Sequence, residues 1–106
     1  MVERHWKGIA KAEEANNYID HLTKDTFPQL AAIKGFVNAS ILTREVNEGI
    51  EFLIVTVWQS IEAIKQFAGE QVDAAVVPSI VQQMMITYDK NVRHYERLGE
   101  YYPANR

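Results

Sequence analysis

Three histidines, eleven Lys and Arg, fourteen Asp and Glu and no cysteine set the chemistry open to this chain. Without a thiol there is no disulfide, thiolate metal site or cysteine nucleophile, so any redox reaction must use another group. His94 lies in "NVRHYERL", a run that puts Val92, His94, Glu96 and Leu98 on one side and Arg93, Tyr95 and Arg97 on the other. An imidazole there could take up a proton near neutral pH, which makes His94 the leading candidate for a general base. The competing reading is an imidazole satisfied by a backbone carbonyl or by Glu96. Arg44, next to Glu45, is the second catalytic candidate: a guanidinium can hold an oxyanion or carboxylate, or it can form a surface or interface ion pair. His5 shares its parity with Glu3 and Lys7, the pattern of a solvated face. His21 stands one residue off the apolar stripe of its segment. The chain has no His-x-x-x-His or Glu-x-x-His pair, so no metal site is expected.

Five aromatics, Trp6, Tyr18, Phe52, Trp58 and Phe67, could surround an aromatic substrate in offset or edge-on contacts. The same residues are what an ordinary core would use. Tyr18 with Phe67 is the favoured pocket pair, because both fall on segments with helical periodicity. Asn17 and Thr26 lie close enough in sequence to help ring a cavity, and Met84 and Met85 could close one end.

The elements that must position these residues follow from periodicity. Residues 3–10, "ERHWKGIA", alternate as a first strand. From Lys11 the period lengthens, with Ala12, Ala15, Ile19 and Leu22 on one helical face. Pro28 predicts an end or kink near Thr26 and a short turn from Leu30 to Ile33. "FVNASILTREV" and "IEFLIVTVW", joined by "NEG", read as a β-hairpin, and the second strand is apolar on both faces. Ser60 caps a second helix that Gly69 ends. A short helix is expected over Ser79–Ile86 and a last strand over Asn91–Leu98, before an extended or loose tail at 98–106. The order β, α, β, β, α, a short extra helix, β is that of an α+β, ferredoxin-like split βαβ fold in one domain, residues 1–106, with an antiparallel sheet and its helices on one face. Nothing in the chain would cover the other face, which predicts a homodimer with sheets packed face to face.

Bulk properties narrow the partners. Net charge is −3 and the basic residues are scattered, which argues against nucleic acid. "MVERHWKGIA" lacks a signal-peptide pattern, and no run approaches the length of a membrane span, so a cytoplasmic protein acting on a small molecule is expected.

"RHWKG", "GF" at 35 and 36, "LTRE", "EFLIVTVWQSIEAIKQFAG", "AVVP" and "VRHYE" together resemble the antibiotic biosynthesis monooxygenase (ABM) family, small proteins of the dimeric α/β barrel superfamily, over nearly the whole chain. The resemblance implies one of several activities: cofactor-free oxygenation of polycyclic phenols, haem degradation, isomerisation of small molecules, or binding without chemistry. Haem degraders of this family use an Asn on the first strand, a Trp in the second helix and a His soon after it. Here the first strand offers His5, Trp6 and Lys7, the helix position looks to be Phe67, and "GEQVDAAVV" has no His, which disfavours haem. Trp58, in "VWQS", matches a position common across the superfamily and reads as structural. The expectation is therefore a cofactor-independent monooxygenase acting on an electron-rich aromatic, phenolic or enol molecule. Such a reaction needs a base, a positive or hydrogen-bonding group for the oxyanion, and a dry cavity, for which His94, Arg44 and the aromatics are the candidates. The alternatives are a non-catalytic small-molecule or haem-binding domain, and an isomerase or lyase on the same scaffold.

Overall fold

The structure, a computed structural model, describes residues 1–104; the last two positions of the expected tail, 105 and 106, lie outside the described residues. One antiparallel sheet organises the chain. Strands β1 (Val2–Ala10), β2 (Phe36–Glu45) and β3 (Ile50–Trp58) lie in the order β2-β3-β1, and β4 (Met85–Tyr88) and β5 (Arg93–Glu96) both pair with the free edge of β1. β4 takes the Gly8–Ala10 end of β1 and β5 takes Val2–His5. This is the α+β, ferredoxin-like arrangement that the periodicity predicts.

The expected last strand is shorter than Asn91–Leu98 and the expected short helix stops before Ile86. Helix α4 covers Ser79–Met84, after which Met85 enters β4. Between β4 and β5 the Asp89 N–H still donates to the Lys7 carbonyl, but the Val92 N–H turns to Asp73 and the Ala75 N–H bonds the Lys90 carbonyl. The loop around residues 72–75 thus takes over the backbone that a continuous edge strand would have used.

The first helical segment also departs from its pattern. It runs through a 3₁₀ turn (Ala12–Glu14), α1 (Ala15–His21), a π turn (Leu22–Thr26) and α2 (Phe27–Ala31). Pro28 has no N–H to give and would crowd a regular preceding turn. The chain widens instead: the Phe27 N–H reaches back five residues to the Leu22 carbonyl, and the helix passes the proline without ending. Helix α3 (Ile61–Ala68) begins where Ser60 Oγ accepts from the Ala63 N–H at 3.1 Å and ends at Gly69, whose φ is 81°.

The helices lie over the face of the sheet formed by the even-numbered residues of β1 and β3. Pairing sets Val2 opposite Trp58, Arg4 opposite Thr56, Trp6 opposite Ile54 and Gly8 opposite Phe52 on that face. Two apolar clusters fill the layer, one around Tyr18, Leu22, Phe52, Ile54, Val81 and Met84, the other around Leu30, Trp58, Ala63 and Ile64. Phe52 and Trp58 are fully buried, each side chain contributing roughly 1.5–3 kcal/mol by leaving water. The opposite face carries the half-buried Leu53 and Val55 of β3 and the half-exposed Leu42 of β2, with no helix among the described residues over them; Val57, further along that face, is buried. Among the described residues no helix is long and apolar enough to cross a membrane.

Candidate functional site

A cavity of about 190 Å³ lies between the sheet and the helices. Trp6, Ile54 and Thr56 form its sheet wall; Tyr18, His21, Leu22 and Phe27 close it from the first helical segment, Phe67 from α3, and Val76 to Pro78 with Val81 from the loop leading into α4. The walls are mainly apolar, as a dry ring-binding site requires. Trp6 and Tyr18 meet edge to face with centroids 6.2 Å apart, and Trp6 Nε1 donates to the Asp89 carbonyl at 2.8 Å, which fixes its ring.

At one end of the cavity stands Arg4, only 5% exposed. Its Nη1 donates to the Val72 carbonyl at 2.6 Å and its Nη2 to the Ala74 carbonyl at 2.9 Å, while its Cζ lies 5.7 Å from the centre of the Phe67 ring. Nη1 also lies 3.1 Å from His94 Nε2. A guanidinium only donates, so His94 Nε2 is the acceptor and Nδ1 carries the proton, directed at Asp73 Oδ1 at 3.2 Å. Burial lowers the Arg4 pKa to about 10, opposed by the charge of Asp73, so Arg4 stays charged at neutral pH. The His94 pKa is lowered by burial and then by the Arg4 charge, against the pull of Asp73.

Two further polar groups border the same space. Tyr18, 4% exposed, has a hydroxyl with no partner among the described residues, and burial raises its pKa, keeping the phenol protonated. His21 lines the cavity with Nδ1 3.9 Å from Asp25 Oδ2.

Of the residues singled out in the sequence, Trp6, Tyr18 and Phe67 line this cavity, and Thr26 borders it. Phe52 and Trp58 do not. Both are sealed in the core, where Phe52 packs edge-on to Tyr18 at 4.9 Å and Trp58 lies between Phe36 and Phe67 with its Nε1 donating to Thr56 Oγ. His94 is held behind Arg4 with both ring nitrogens engaged, rather than lining the cavity. Arg44 lies near the end of the β2–β3 hairpin, on the face away from the helices. There it is paired across the strands with Glu51 through bonds of 2.8 and 3.1 Å and is largely exposed. The register turns Arg44 away from the helix layer and the cavity. Asn17 bonds Glu14 outside the cavity. Sequence reasoning passed over Arg4 and gave His21 no role. The period of β1 carried the signal for Arg4: Val2, Trp6, Gly8 and Ala10 share one face, so a charged residue at position 4 of that apolar series needs a reason to be there. Among the described residues there is no group of three or more His, Cys, Asp or Glu that could hold a metal ion.

No protein-family model matches the chain, and no curated protein matches it in sequence. Solved structures do. A Bacillus cereus protein provisionally named an antibiotic biosynthesis monooxygenase is 17% identical, with 96% of this chain and 97% of that chain covered and a TM-score of 0.66. SnoaB, a cofactor-independent oxygenase from Streptomyces nogalater, is 14% identical over 93% of this chain and 94% of its own, with a TM-score of 0.63. MhuD, a haem degrader from Mycobacterium tuberculosis solved with two haems in its active site, is 16% identical over 96% of this chain and all (100%) of its own, with a TM-score of 0.59. At such identities the likeness is one of fold. The chain has the ferredoxin-like fold that these proteins share.

Proposed function

We propose that the chain is an oxygenase of the ABM type that uses neither flavin nor metal and oxidises a small electron-rich phenol or enol. The observation that carries the reading is the cavity itself: an aromatic-walled space between sheet and helices that also contains a buried guanidinium. Chemistry without a cofactor requires the substrate to supply the electrons, which a phenol does as its anion. Arg4 stabilises that anion, and His21 is the imidazole bordering the cavity that can accept the proton. The phenolate passes an electron to O2, and the two radicals combine at a ring carbon. In the product one oxygen atom is bonded to that carbon, the C–H bond there is broken and the phenolic C–O has become a carbonyl. The two hydrogens leave with the second oxygen atom as water, so that phenol plus O2 gives quinone plus water.

Two features weigh against haem in this reading. The cavity of about 190 Å³ is smaller than the roughly 300–1,000 Å³ of pockets for drug-sized ligands, and His94 has no free nitrogen to offer an iron. We also propose that the chain works as a homodimer in which the open face of the sheet, with Leu42, Leu53 and Val55, packs on a second copy.

The test is oxygen uptake by metal-free protein with a panel of dihydroxynaphthalenes. The reading expects uptake with at least one of them and strong loss in His21→Ala. Turnover that continues without oxygen would replace oxygenation by isomerisation, and a ligand that binds unchanged would leave a binding domain.

A further inference from the structure

Arg4 carries a charge with nothing in contact to balance it. Its partners are two backbone carbonyls, Val72 and Ala74, a neutral imidazole, His94, and the face of Phe67. The nearest acid in that network, Asp73, makes no hydrogen bond to it; its charge acts across His94, from a side chain that is 77% exposed. Asp25, the acid among the residues lining the cavity, has its side chain 58% exposed beside His21. A guanidinium has five N–H donors. The Nε–H and one Nη2–H of Arg4 have no acceptor among the described residues, although the residue is 5% exposed and lines the cavity. No buried side-chain nitrogen or oxygen among the described residues lacks a partner, so these N–H groups are open to solvent from the cavity, and an anion placed there gains charge-assisted hydrogen bonds from them. The Tyr18 hydroxyl, open to the same cavity, is a second donor without a protein acceptor among the described residues.

We infer that this cavity selects a planar aromatic monoanion, a carboxylate or a phenolate or enolate, of one or two rings, with its oxyanion on Arg4 and its ring against Phe67 and Trp6. The inference rests on the reading of the cavity as a ligand site and names the class of ligand it takes. The size limit follows from the volume of about 190 Å³, which gives room to a bicyclic ring and excludes a tetracyclic one. The charge preference follows from Arg4. His94 and Asp73 act as positioning residues: they hold the guanidinium plane with its free edge toward the cavity.

The experiment compares 2-naphthoate with its neutral isostere 2-naphthamide by calorimetry, in the wild type and in Arg4→Met and Arg4→Lys. Wild type is expected to prefer the carboxylate by about 10- to 100-fold, the factor that a charge-assisted hydrogen bond confers. Arg4→Met should lose the preference while still binding the amide, which also shows that it is folded, and Arg4→Lys should keep part of it. Equal affinity for the two ligands in wild type overturns the inference without any variant. So does a preference that survives in Arg4→Met. 4-Nitrophenol tests the phenolate arm, since binding on Arg4 raises the yellow phenolate band at a fixed pH near neutral. A response to one probe alone assigns the oxyanion to that class. Anthracene-2-carboxylate binding as tightly as 2-naphthoate would overturn the size limit. All these readouts are binding, so the oxygenase reading can fail, by absence of oxygen uptake, while the anion site stands.

Discussion

At the scale of single residues, a histidine on an alternating strand proves less informative than the charge opposite it. His94 is placed on β5 as the alternation in "VRHYE" predicts, yet its Nε2 lone pair is taken by Arg4 and its proton is directed to Asp73. Period two tells which side of a strand a residue occupies, but not which partner waits on the neighbouring strand, and the pairing of Arg4 with His94 across β1 and β5 is a long-range fact. The arrangement has a pH consequence. A folded-state pKa held below the ordinary histidine value, by burial and by Arg4, means that the unfolded chain takes the proton first as pH falls. Stability from this group is therefore complete above the unfolded pKa, near 6.5, and is lost as pH falls through that value toward the lower folded pKa. Urea midpoints should fall between pH 7 and pH 5.5 in wild type. In His94→Gln, whose amide can accept from Arg4 and donate to Asp73 without titrating, the slope over the same range should flatten. An unchanged slope would remove His94 from the pH dependence.

At the scale of elements, the hairpin, the buried third strand and the Ser60-capped helix were legible, because each has a local cause in turn residues, apolar runs or caps. The π turn before Pro28 and the broken edge strand were not. Pro28 forbids one hydrogen bond, but whether a helix stops there or widens depends on what holds its two ends; Leu22 and Leu30, buried in separate clusters on either side, keep both halves on the sheet. Gly35 marks another place where packing decides. It sits at φ 99° before β2, and a Cβ there would come within 2.6 Å of Ala63 Cβ on α3. Gly69 has a similar φ of 81° but nothing within 4 Å of the added atom. Gly69→Ala, at φ 81° and ψ −169°, therefore meets only the backbone penalty, about 1–3 kcal/mol, and Gly35→Ala adds a clash. Chemical denaturation should rank Gly35→Ala as the more destabilised by at least ~1 kcal/mol, and equal costs would show that α3 yields freely.

At the scale of the whole molecule, the sheet has helices on one face and, among the described residues, none on the other. The sequence made this visible through the β3 run "FLIV", which is apolar at every position and must therefore present apolar groups on both faces. The cavity was less legible, because its volume arises between elements: the same aromatic composition places Trp58 and Phe52 in solid core and leaves Trp6 and Phe67 beside a space. The dimer proposal makes Val55, central on the open face between β1 and β2, the residue to test. Light scattering should give the mass of two chains at micromolar concentration and of one chain for Val55→Glu; a monomeric wild type would contradict face-to-face packing.

The cavity's role as an oxygenase site is tested most directly by incubating metal-free protein with a dihydroxynaphthalene under ¹⁸O2 and weighing the product. The account predicts a quinone that carries one ¹⁸O, with its formation strongly reduced in Arg4→Met. A product without ¹⁸O, or label incorporated equally well without Arg4, would contradict it.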